Sequence, residues 1–171
     1  MKIFLTILVF SLAIAAQISF SHLFLFWRGT GPNPVLVLVL LLALTAGFKK
    51  NWWIFVAIGL FMDFFSGFSF GTISFSLVLS AFAVDWFNRK VFSEVKTETV
   101  AVLIVLGALL YTFFLVSANA LLSFIGGDES ALSLCYLKNC VFSSWSSLLV
   151  GLVANLLLGE IIFHLYSRRK K

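Results

Sequence analysis

From Ile3 to Trp27 the chain runs for 25 residues without a charge. About 20 apolar residues suffice to cross the hydrocarbon of a bilayer. Similar runs recur to the end of the chain, and 61% of all residues are hydrophobic while only 11% are charged. A soluble domain has about 25% charged residues. In hydrocarbon every backbone N–H and C=O must be paired internally, so such runs fold as helices or close into a barrel. Barrel strands alternate apolar and polar residues, and these runs do not. The expected architecture is an all-α integral membrane protein, a compact bundle of six transmembrane helices in one domain covering 1–171. The predicted spans are about 3–27, 35–48, 52–66, 71–87, 99–125 and 139–166. At 1.5 Å per residue the second and third reach only roughly 21–23 Å, short of a core of about 30 Å. A four-span arrangement with re-entrant pieces is the alternative. The opening "MKIFLTILVFSLAIAAQ" mimics a secretory signal, but the apolar run continues past it, so an uncleaved first helix is expected.

Charge sets the orientation. With the N-terminus in the cytoplasm, Lys2, Lys49, Lys50, Arg89, Lys90, Lys96, Arg168, Arg169, Lys170 and Lys171 fall inside, and only Arg28 and Lys138 outside. This is the positive-inside pattern, and it places both termini in the cytoplasm. The basic residues sit between apolar runs rather than along one stripe, so their charge does not point to a nucleic-acid or anionic-lipid partner; membrane lipid is expected around the apolar runs, and no nucleic acid. The longest predicted connections, "NRKVFSEVKTE" and "GGDESALSLCYLK", are too short to hold a nucleotide-binding domain.

Polar residues within apolar runs cost at least about 2.5–3.5 kcal/mol when charged at the bilayer centre, so they face protein or water. Asp63 is the deepest, expected roughly 16 Å into its helix at 1.5 Å per residue. Gly59, Asp63, Gly67 and Gly71 recur every four residues and make a small-residue stripe suited to close helix packing or partner docking. Ser66, Gly67 and Gly71 allow a turn, where Asp63 accepts freed backbone N–H groups or caps the next helix. A proton or ion site is the other reading of Asp63. Ser143, Ser147, Gly151, Asn155 and Gly159 form a second ridge, with Asn155 placed to hydrogen-bond across it. Glu160 and His164 stand at i, i+4, within pairing distance, as do Asp85 and Arg89. Asn119 and Ser117 add a polar spot to the fifth helix. His22, on the first, reads as an interfacial residue. Cys135 and Cys140 lie on the predicted outer side, where an oxidising compartment permits a disulfide if Cβ geometry allows. No metal-ligand spacing is present, no cofactor is implied, and no Ser–His or Cys–His nucleophile is suggested.

"GLFMDFFSGFSFG" reads Gly-x-x-x-Asp-x-x-Ser-Gly-x-x-x-Gly, carried by Gly59, Asp63, Ser66, Gly67 and Gly71. This resembles the signature of the rod shape-determining MreD family, as do the chain's length, its six expected spans and the Asn33–Pro34 turn. The resemblance implies a non-enzymatic protein of the bacterial inner membrane that serves cell-wall elongation. Its implied partners are the single-span MreC and, through it, MreB, a SEDS glycosyltransferase and a class B penicillin-binding protein. The implied fold is similar to substrate-binding subunits of energy-coupling-factor transporters. A vitamin-transporter subunit of that kind is the alternative function. Such a subunit needs converging polar groups, and the predicted outer loops offer mainly Asp128, Glu129, Tyr136 and Asn139.

Overall fold

The computed structural model describes residues 33–66, 69–91, 97–126 and 145–168. These form an all-α arrangement of five helices: α1 (Pro34–Ala46), α2 (Phe48–Phe64), α3 (Thr72–Val91), α4 (Thr97–Gly126) and α5 (Trp145–Arg168). The first predicted span, 3–27, lies outside the described residues. Among the others, α2 begins at Phe48 rather than at 52, so it takes Lys49 and Lys50 into its first turn. α3 continues to Val91 instead of ending at 87, and the described part of the sixth expected span is helical from Trp145 to Arg168.

The helix α1 is built from a run, "PVLVLVLLLALTA", that is apolar on every face. A helix of that kind belongs inside a bundle. Eight of its 13 residues are buried, and it packs against all four other helices. Val35, Val39 and Ala43 meet Phe55 and Ile58 of α2 and Leu77 and Ala81 of α3. Leu36, Val37, Leu40, Leu41 and Leu44 join Val84 of α3 and Val100, Leu103, Ile104 and Ala108 of α4. One central helix therefore links two apolar clusters. Its alternating Val and Leu would suit a strand, but Asn33 and Pro34 set a helix start. The Asn33 side chain accepts the Leu36 N–H at 2.9 Å, and Pro34 stands at a first-turn position where a missing N–H costs nothing.

A single residue separates α1 from α2. Gly47 adopts φ +81° and ψ 147°, a region open essentially to glycine alone. Its N–H donates to Ala43 O at 3.0 Å, and its carbonyl accepts from Asn51 Nδ2 at 3.2 Å. The Phe48 ring then lies 5.7 Å from that of Phe55 and 5.4 Å from that of Phe82 on α3. A Cβ on Gly47 would lie 3.0 Å from Arg89 Nη2, and Arg89 pairs with Asp85 at 3.0 Å. The end of α3 thus closes over the α1–α2 turn, which gathers Lys49, Lys50, Arg89 and Lys90 at one end of the bundle.

The outward faces are apolar. Phe64 is 74% exposed, and Phe61, Phe65, Phe70, Phe75 and Phe113 are also exposed. By length and composition one helix of the described residues is fit to cross a membrane, over Glu98–Leu122. The expectation of six spans therefore meets one helix of that length and composition. The rest differ for identifiable reasons: α1 is enclosed by its neighbours and short, α2 opens with two lysines, α3 carries buried hydroxyls and ends in Arg89 and Lys90, and the apolar stretch of α5 is limited to Gly151–His164.

Gly47→Ala is expected to lower stability by about 1–3 kcal/mol, the cost of holding a side chain in this backbone region. Thermal unfolding of the purified protein in mild detergent checks it. An unchanged midpoint would show that the turn tolerates another conformation.

Candidate functional site

Asp63 stands one residue before the end of α2 and is only 4% exposed. The extra turn at the start of α2 puts it roughly 22 Å from that helix's beginning, farther along than the 16 Å expected. Its side chain crosses to α3. One carboxyl oxygen accepts the Ile73 N–H at 2.9 Å. The other accepts the Ser74 N–H at 3.1 Å and the Ser74 hydroxyl. The first N–H groups of a helix have no partner within it, and Asp63 supplies acceptors to two of them from another helix. It also sets a carboxyl against the positive end of the α3 dipole.

The main chain of the same residue closes α2. Asp63 O accepts from Ser66 N at 3.3 Å and from Ser66 Oγ at 3.0 Å. One residue thus ends one helix with its carbonyl and begins the next with its side chain. Around the turn, Thr72 donates from its N–H and hydroxyl to Ser69 O at 3.1 and 2.7 Å.

The glycines have separate tasks. A Cβ on Gly59 would lie 2.5 Å from Ser74 Cα, a clash with backbone that no rotamer relieves. Gly59 therefore lets the start of α3 approach closely enough for Asp63 to reach it. Gly71 has φ +91° and nothing within 4 Å of its would-be Cβ, so its requirement is conformational. Gly67 lies outside the described residues. Of the two roles weighed for the stripe, packing within the chain describes the contacts of Gly59 and Asp63. Ser74, which receives both, escaped sequence reasoning. The available signal was a small hydroxyl residue in the first turn after a glycine, opposite an isolated acid.

A second junction joins α5 to the start of α1. Asn155, buried, accepts the Asn33 N–H at 2.7 Å. One turn on, a Cβ on Gly159 would meet Ile104 Cδ1 at 2.2 Å and Val37 Cγ1 at 3.5 Å. Of this ridge Gly151, Asn155 and Gly159 are buried. Ser143 falls outside the described residues. Asp85 and Arg89 form the expected ion pair. Glu160 and His164 do not: Glu160 is half-buried, His164 is exposed, and the ion pair among the described residues is that of Asp85. Pairs of this exposure are worth only about 0–1 kcal/mol, so i, i+4 spacing permits the contact without enforcing it. Asn119 is half-buried on α4. Cys135 and Cys140 lie outside the described residues. Among the described residues no group of three or more His, Cys, Asp or Glu side chains gathers to hold a metal.

No family model, curated protein or solved structure matches this chain.

Removing the Asp63 carboxyl strands buried donors at about 1–3 kcal/mol each. Asp63→Leu is therefore expected to destabilise most, Asp63→Asn less because one carbonyl acceptor remains, and Ser74→Ala least. Unfolding midpoints in one detergent test the ranking, and an unperturbed Asp63→Leu would refute the cap. Gly59→Ala is expected to destabilise as well, through the backbone clash. Crosslinking yield between paired cysteines introduced on exposed faces of α2 and α3 should fall with it, and an unaltered yield would count against a close approach.

Proposed function

We propose that this chain is a multi-pass scaffold of the bacterial inner membrane, similar to the MreD family, that serves cell-wall elongation and the maintenance of rod shape. The observation that carries this is the hairpin of α2 and α3, in which Gly59, Asp63, Ser66 and Gly71 act as one device. These are signature positions on which the family resemblance rests, and each has a distinct physical task. The apolar outward faces and the cationic end formed by Lys49, Lys50, Arg89 and Lys90 support a membrane setting. In this proposal six helices span the bilayer with both termini in the cytoplasm, in a fold like that of energy-coupling-factor substrate-binding subunits.

The mechanism is positional. Gly59 and Asp63 are engaged with α3, so they stiffen the hairpin instead of meeting a partner directly. The single span of MreC then packs on the outer side of α2, where Trp53, Ala57, Leu60, Phe61 and Phe64 are exposed at helical spacing. Without a hydrophobic difference between lipid and helix, such docking depends on packing and shape. A rigid hairpin supplies a fixed shape. Through MreC, the scaffold holds MreB, a SEDS glycosyltransferase and a class B penicillin-binding protein in one assembly.

A tagged full-length chain purified from native membranes in mild detergent is expected to bring down a single-span protein with a periplasmic coiled coil, followed by cell-wall synthases, identified by mass spectrometry. Recovery of a large membrane scaffold with two ATPases would overturn this function in favour of a transporter subunit.

A further inference from the structure

At the cationic end, the α1–α2 turn and the last turn of α3 meet. Arg89 is held there by its ion pair with Asp85 at 3.0 Å and lies beside Gly47, where a Cβ would crowd its guanidinium. Its side chain nevertheless stays 53% exposed. Lys49 and Lys50 follow Gly47 within three residues, and Lys90 follows Arg89; all three are exposed. Among the described residues the acidic groups near this end are Asp85, which is engaged with Arg89, and Glu98 in the first turn of α4, while Glu160 of α5 is half-buried about two turns before that helix ends. Positive charge therefore dominates this end.

Tryptophans border the same patch. Trp52 and Trp53 are exposed within one turn of Lys49 and Lys50, and Trp86 is exposed one turn before Lys90. Indole rings favour the headgroup level, where an apolar body and an N–H donor are both accommodated. Two helices thus carry the same sequence of layers, with cations at the end and tryptophan one turn inward. The opposite end of the hairpin is bordered by phenylalanines, Phe61, Phe64, Phe65 and Phe70, which have no polar handle.

Resting on the membrane setting proposed above, we infer that Lys49, Lys50, Arg89 and Lys90 form a binding surface for the phosphate headgroups of anionic phospholipids, with Trp52, Trp53 and Trp86 fixing its depth. Arg89 is the ordered member, because its ion pair with Asp85 restricts its side chain before lipid arrives. The lysines supply mobile point charges around it. The lipid seals the α1–α2 turn to the end of α3, so its occupancy also stabilises the bundle at the end opposite Asp63.

The test uses the full chain, reconstituted in nanodiscs of phosphatidylcholine with and without phosphatidylglycerol, and native mass spectrometry of the lipids retained on release. Preferential retention of phosphatidylglycerol is expected. The triple variant Lys49→Gln, Lys50→Gln, Lys90→Gln should unfold at the wild-type midpoint in detergent without lipid. It should lose roughly 100-fold in affinity for phosphatidylglycerol, at about fivefold for each cation removed near a membrane surface. Raised salt should weaken wild-type binding, since exposed charges are screened over about 8 Å at physiological ionic strength. Equal retention of the two lipids, or a triple variant that binds as wild type, would overturn the inference. So would displacement of phosphatidylglycerol by inorganic phosphate, which would mark a site for the free ion. Alkaline carbonate extraction of native membranes separates the two levels. A chain that stays in the membrane without lipid preference refutes only this surface, while a chain released by carbonate refutes the membrane setting itself.

Discussion

One residue, Asp63, serves two helices at once and holds the α2–α3 hairpin together. The Asp63 side chain accepts the unpaired N–H groups of Ile73 and Ser74 while its carbonyl takes the N–H and hydroxyl of Ser66. An interior helix start needs acceptors that water cannot supply. Here two of them come from ten residues back in the chain, so α3 is anchored to α2 as well as to Ser69 of its own preceding turn. Once α3 starts there, Leu77 and Ala81 meet α1, and Val84 reaches the second apolar cluster.

The same solution appears at the start of α1. Asn33 caps the helix with its side chain, and its own N–H donates to Asn155 of α5. Both helix starts are served by a polar side chain from another helix, the preceding one for α3 and the distant α5 for α1. Glycine accompanies each: Gly59 beside Asp63 lets the backbone of Ser74 come close, and Gly159 one turn from Asn155 makes room for the side chains of Ile104 and Val37.

The central helix explains why the bundle closes. α1 has no polar face, so every side needs cover, and the one-residue turn at Gly47 brings α2 back beside it at once. Arg89 lies over this turn and connects α3 to it. Stability of the described residues is distributed between an uncharged interior and polar fastenings near its ends. Such an arrangement suits a proposed role in which shape, rather than chemistry, is what a partner helix meets.

Much of the helical organisation was legible in the chain itself. Long apolar runs without alternation dictated helices, because backbone groups without water must pair within their own segment. Asn33–Pro34 marked a helix start through its own side chain and ring. The pairing of Asp85 with Arg89 followed from spacing along one helix. The sequence also singled out Asp63 as a residue that needs an acceptor's role at a turn. Its partner was not legible: Ser74 is an ordinary residue until Gly59 brings α3 against α2. The boundary of α2 was misplaced for a related reason, since Lys49 and Lys50 break an apolar run without breaking a helix. Glu160 and His164 had the spacing of a pair, but nothing around them fixes the contact. What the sequence by itself determined was local, set by backbone pairing, caps and periodicity. Which glycine faces which serine, and which asparagine closes which helix, was decided by tertiary structure, because those contacts exist only after separate helices have packed.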